Sequence, residues 1–169
     1  MGTSFVTTDE EHGFWMRDST LEIWLRLLAL HIREPNDYDP AKTHEVAKRI
    51  RDQFLLASKG YFGRCVPHGL EEAVATTEGA TLVRLAVQSL LQALEKAPKE
   101  LSKDVLNLLA IEGFVFTDDF ETWRLIEVAH AFLGLLDGKI TSTARSTAFM
   151  PGTRSESELN QELRGWPLH

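Results

Sequence analysis

The stretch from Asp18 to Ile32, DSTLEIWLRLLALHI, constrains the fold more than any other part of the chain. Crossing a bilayer takes about 20 consecutive apolar residues. This run is shorter, and Glu22 and Arg26 interrupt it. The two stand at i and i+4, one helical turn apart, a spacing at which they can pair along one exposed ridge. Leu21, Ile23, Trp24, Leu25, Leu27, Leu28, Leu30 and Ile32 cover nearly every other direction. A helix apolar on most sides needs neighbours on most sides, so the stretch reads as the central helix of a core.

The punctuation around it is that of a helical bundle. Ser19-Thr20-Leu21-Glu22 has the spacing of a capping box, in which serine and glutamate side chains meet free backbone N–H groups. Pro35 closes the helix by steering its predecessor away from the α region. Asp39 caps a second helix with Pro40 in its first position; it runs to about Ser58 along Val46, Ala47, Ile50, Phe54 and Ala57, and Gly60 stops it. A short helix over about Pro67 to Ala75 follows an irregular start. A long one runs from about Glu78 to Lys96, with Leu82, Leu85, Ala86, Leu90, Ala93 and Leu94 on its stripe. Ser102 caps a shorter helix to about Glu112. After a short extended piece at 114–116, Asp118-Asp119-Phe120-Glu121 reads as a second capping box, opening a helix that carries Trp123, Ile126, Val128, Phe132 and Leu136 and ends at Gly138. Its three acids would complement the helix dipole.

Composition then changes. KITSTARSTAFMPGTRSESE is small, polar and β-branched, without a stripe, and reads as an extended arm; Ser155–Glu158 gives a third capping-box match and a short helix to about Arg164. The expected architecture is therefore all-α: one helical domain over 1–169, with five or six main helices forming a bundle core at 14–138 and an irregular arm at 139–169. Phe14, Trp15, Phe149, Met150 and Trp166 have no stripe to join. They either fold back over the bundle or pack on another subunit, which would give a homodimer through the terminal segments.

Charge and cysteine narrow the function classes. The formal net charge of −7 repels a phosphate backbone and anionic lipid, so neither nucleic acid nor membrane is an expected partner. A basic protein fits that field better. One cysteine, Cys65, excludes an internal disulfide and suits a reducing cytoplasm; the opening MGTSFVTTDEEHGFW lacks the cationic and apolar regions of a secretory signal.

Motifs for chemistry are sparse. Glu127 and His130 make a Glu-x-x-His pair on one helix face, but a di-metal bundle needs a second such pair, and the chain has none. The six histidines are scattered without the spacing of a zinc site, so neither metal nor other cofactor is expected. Gly-x-Gly-x-x-Gly, Walker A, His-Glu-x-x-His, Gly-x-Ser-x-Gly and Cys-x-x-Cys are absent. What remains is the irregular segment 61–72, where Arg64, Cys65, His68, Glu71 and Glu72 could line a cleft, with Arg64 favouring a thiolate. A further candidate is an acidic run interleaved with aromatics: Phe114, Phe116, Asp118, Asp119 and Glu121. Aromatic anchors inside a rim of one charge sign are how a surface for an oppositely charged partner is built.

The reading that follows is a non-enzymatic, cytoplasmic protein-binding module, of the kind exemplified by small acidic bacterial immunity or antitoxin-type proteins that mask a basic partner. An enzyme or small-ligand binder using 61–72, and a homo-oligomeric structural module, are the alternatives.

Overall fold

The computed structural model describes residues 2–9, 11–33, 40–59, 65–109, 115–141 and 150–153. Six helices run through them: α1 (Asp18–His31), α2 (Pro40–Ala57), α3 (Leu70–Ala73), α4 (Thr77–Leu94), α5 (Lys103–Leu109) and α6 (Thr122–Leu136). Four strands join them: β1 (Thr3–Thr7), β2 (Gly13–Arg17), β3 (Glu100–Leu101) and β4 (Phe120–Glu121). The fold is mostly helical, but the all-α expectation is wrong. Two small antiparallel sheets, β1–β2 and β3–β4, make it a mixed α/β architecture with short strands.

The β1–β2 hairpin pairs Thr3 with Arg17 through to Thr7 with Gly13. Its inward face carries Ser4, Val6, Phe14 and Met16, all buried. One of the four is polar, so the alternation of a half-buried strand is blurred in the sequence. Nor does the connection carry the Asn-Gly or Asp-Gly signal of a tight hairpin. Asp9 builds the turn instead, its Oδ1 accepting from the backbone N–H of Glu11 (3.0 Å) and His12 (2.7 Å).

Strand β2 runs straight into α1, which changes how that helix starts. Its first residue is Asp18 and its N-cap is Arg17, with no side-chain cap; the Ser19–Glu22 capping box is not used. Asp18 is held from the hairpin, its N–H donating to Gly2 O (3.1 Å) and its Oδ1 accepting from Ser4 Oγ (2.7 Å). Beyond this point α1 is the central helix, packed against β1, β2, α2 and α4. Leu21, Trp24, Leu25 and Leu28 are fully covered, while Leu30 is exposed. Arg26 departs from the expected exposed ridge. It is buried, and its Nε and Nη2 both donate to Ser58 Oγ (3.3 Å) at the end of α2. Burial pushes its guanidinium below the ordinary value, and the Glu22 charge opposes that shift.

Phe14 and Trp15 fold back over their own chain. The Phe14 ring sits edge-on to Phe132 of α6 at 5.7 Å, and Trp15 pairs with Phe5 at 5.4 Å. The central helix joins the same cluster through Trp24, 5.1 Å from Phe132.

α4 lies along α6, and Arg84, midway along α4, fastens it to the end of α6: its Nη2 donates to Leu136 O (3.1 Å) and its Nη1 to the carboxylate of Asp137. Gly138, at φ 66°, closes α6 in a Schellman motif, with Gly138 N–H on Leu135 O (3.0 Å) and Lys139 N–H on Gly134 O (2.8 Å). The start of α6 is stitched to the segment after α4 by β3–β4 and by Thr122, whose Oγ1 donates to Pro98 O (2.5 Å). Here too the helix follows directly from a strand. Its N-cap is Glu121, without a side-chain cap, and no acid lies in its first turn, so the expected capping box at 118–121 does not form.

Of the arm, Met150–Thr153 is described. Proline at the second position and φ 80° at Gly152 give it the signature of a type II turn. Gly152 N–H donates to the buried Glu127 carboxylate of α6 (2.7 Å). A Cβ at Gly152 would lie 2.9 Å from Thr20 Cγ2 and 3.2 Å from Val128 Cγ2, so glycine fits by space as well as by dihedral. Phe149, Trp166 and the expected helix after Ser155 lie outside the described residues. Among the described residues no helix is long and apolar enough to cross a membrane.

Candidate functional site

The acidic run near β4 folds onto α5. Ser102 Oγ accepts from Asp104 N–H (3.2 Å) at the helix start, as the sequence predicts. Asp119 supplies a second acceptor for the same turn, its Oδ1 taking Lys103 N–H (2.8 Å). Asp119 is therefore a capping group for α5, not a member of the first turn of α6. The segment before it is fixed by Asn107, which brackets the Phe116 backbone on both sides: Phe116 N–H donates to Asn107 Oδ1 (2.7 Å), and Asn107 Nδ2 to Phe116 O (3.1 Å). A primary amide offers one donor and one acceptor in the spacing of a strand residue, so this bracket replaces a ladder.

Glu121 is also engaged. Arg124 Nε and Nη2 both reach its Oε2 at 2.6 Å, and the same guanidinium lies 5.8 Å from the ring centres of Phe120 and Trp123. Phe116 is half-buried against the core. Phe114 lies outside the described residues. Asp118 and Asp119 are both exposed, and Asp118 accepts from Thr117 Oγ1 (2.9 Å).

The apolar anchors come from elsewhere. Val105 is 50%, Leu108 86% and Val115 73% exposed. Leu108 follows Asn107 and Val115 precedes Phe116, so each is next in sequence to a residue of the bracket, and Val105 lies three residues before Leu108 on α5. Asp104, Asp118 and Asp119, on α5 and on the segment bonded to it, are exposed as well. Sequence reasoning missed Val105 and Leu108 because KDVLNLL looks like an ordinary apolar stripe. Only Leu106 of α5 is buried.

Of the cleft expected at 61–72, residues 65–72 are described. Cys65 is exposed. His68 is buried, its Nε2 donating to Phe5 O (2.9 Å) while its Nδ1 accepts from Leu70 N–H (3.0 Å). Those partners fix the tautomer and occupy both ring nitrogens. Val66 N–H donates to Ser4 Oγ (2.7 Å), so the segment is pinned along β1 by side chains. Glu71 Oε2 stands 3.8 Å from His68 Nδ1 and Glu72 Oε2 3.5 Å from Gln53 Nε2. Arg64 lies outside the described residues.

Glu127 and His130 do not converge either: Glu127 is buried on Gly152, and His130 is exposed. Among the described residues no three His, Cys, Asp or Glu side chains gather where they could hold a metal ion. Compared with known proteins, the chain matches no family model, no curated protein and no solved structure.

Proposed function

We propose that this chain works by binding a protein, presenting the α5 surface to a partner with a basic, partly apolar face. The observation that carries this reading is the exposure of Leu108, together with that of Val105, Val115 and the aspartates 104, 118 and 119 on α5 and the segment bonded to it. Single exposed leucines are ordinary, but three exposed apolar side chains on a helix and the segment bonded to it offer material for an interface centre. Covering one such side chain fully is worth about 1.5–3 kcal/mol. The aspartates, and the net charge of −7, would steer a basic partner and set its approach rate. This is the arrangement by which a small acidic immunity- or antitoxin-type protein masks a basic partner. The reading is non-enzymatic and cytoplasmic, a reducing compartment suiting the single exposed Cys65.

The test is capture with identification. Wild type, Leu108→Ser and the triple variant Asp118→Asn, Asp119→Asn, Glu121→Gln are used as bait, and each retained protein is identified and its surface charge assessed. The expected result is one basic protein held by wild type, lost with Leu108→Ser, and associating more slowly and with less salt sensitivity with the triple variant. Equal retention of that protein by Leu108→Ser removes the proposed surface. Sedimentation of the bait alone distinguishes self-association, the homo-oligomeric reading.

A further inference from the structure

Away from α5, the segment that leads into α3 carries His68, the buried histidine among the described residues. Imidazole changes charge between about pH 5 and 8, and the two bonds that hold this ring respond differently to that change. Nε2 donates to Phe5 O (2.9 Å) in either charge state. Nδ1 accepts from Leu70 N–H (3.0 Å) only while its lone pair is free. A second ring proton would set two donors against each other at that point. The new N–H has another acceptor nearby: Glu71 Oε2 lies 3.8 Å from the same nitrogen.

Leu70 N–H stands at the entry to a helix of four residues. α3 is reached through Gly69 at φ 61°, and Gly69 offers no side-chain cap. His68 Nδ1 meets a free N–H of the first turn, as a capping side chain does elsewhere. Behind it, Gly69 O accepts from Gln53 Nε2 (3.0 Å) and from Ala73 N–H (3.0 Å), and Leu70 O accepts from Val74 N–H (3.0 Å).

The charged groups that the surrounding contacts bring toward the ring are carboxylates. α3 supplies Glu71 and Glu72, the second with Oε2 3.5 Å from Gln53 Nε2. β1 carries no titratable side chain, and Asp18 of α1 is linked to the segment through Ser4 Oγ, which also takes Val66 N–H. α2 meets the segment through the neutral Gln53, and α4 meets α3 where Gly79 packs against Ala73 O. A charged ring therefore has a counter-ion at hand in Glu71.

We propose that His68 is an acid-operated clasp on α3. The neutral ring holds Leu70 N–H and closes the helix entry. Taking a proton from solvent, the ring drops that bond, turns Nδ1–H to Glu71 and lets α3 loosen about Gly69. The tie to β1 survives, because Nε2 donates in both states, so the opening is confined to residues 69–74.

Hydrogen exchange of the full-length protein, resolved by residue with NMR between about pH 7.5 and 5 and corrected for the pH dependence of free amides, tests this. Protection of Leu70 and Val74 N–H is expected to fall about tenfold or more, the scale of one unmade buried hydrogen bond, in step with the His68 ring Cε1–H. Val66 N–H beside β1 and Val83 N–H in α4 should keep their protection. In Glu71→Gln the loss should move to lower pH by about half a unit or more. In His68→Asn, whose Oδ1 accepts from Leu70 N–H without titrating, protection of Leu70 should not depend on pH. Four results would each overturn the proposal: Leu70 and Val74 unchanged down to pH 5, Val66 and Val83 lost along with them, an unmoved midpoint in Glu71→Gln, or the same pH dependence in His68→Asn.

Discussion

α1 and α5 are both leucine-rich, yet Leu21, Leu25 and Leu28 are wholly covered while Leu108 stands in solvent. Composition does not separate them; the number of neighbours does. α1 has the hairpin on one side and α2 and α4 on the others. α5 is short, and its side-chain and capping hydrogen bonds run to Ser102 and to the segment 116–119. A stripe of the same chemistry is a core in one place and an offered surface in the other. Burial is decided by what the rest of the chain can bring to a helix, not by the helix alone.

Truncation should break this comparison most sharply. Leu25→Ala in α1 is expected to cost about 3 kcal/mol, because a closed site cannot collapse onto the missing atoms; chemical denaturation measures it. His68→Ala should come next, at about 2 kcal/mol, since it leaves Phe5 O and Leu70 N–H without their partner. A smaller loss there would mean that the segment 65–70 is held by packing alone. Asp119→Ala removes a cap from α5 and should cost about 1 kcal/mol. Leu108→Ala should change stability by no more than about 0.5 kcal/mol. Should Leu108→Ala destabilise as much as Leu25→Ala, the contrast between the two helices would be lost.

The smallest effect expected is that of pH on the hairpin turn. The folded Asp9 value lies below its ordinary 3.8, so its contribution is present above 3.8 and is lost as pH falls toward about 2. The folded His12 value is raised above its ordinary 6.5, so its contribution is full below 6.5 and is lost as pH rises through the folded value. Both groups are exposed, and the difference should appear as slight declines in the denaturation midpoint at the two ends of the range. Asp9→Asn should flatten both.

Stripes with a long apolar repeat were legible in the sequence. α1, α2, α4 and α6 lie where their periodicity puts them, to within a few residues at each end. Start signals were less dependable, for one physical reason. α1 and α6 each continue from a strand, so the entering chain is already fixed by ladder bonds, and capping boxes at Ser19 and Asp118 have nothing to do. The hairpin stayed hidden because Ser4 interrupts its inner face and because Asp9, rather than an Asn-Gly pair, makes its turn. At the candidate surface the acids could be read and the anchors could not. Asp118 and Asp119 are conspicuous as charges, but nothing in KDVLNLL says that one side of that helix would remain uncovered.

The seating of Gly152 on Glu127 bears on where the chain can be cut. A clone ending after Thr141 would retain the six described helices yet take from the buried Glu127 carboxylate its hydrogen bond with Gly152 N–H, at a cost of about 1–3 kcal/mol. Shortened forms should therefore run through Thr153, and a purification tag belongs beyond that residue. A protease that nicks the polypeptide ahead of Met150 would loosen the joint between the beginning of α1 and the middle of α6, even with every helix intact.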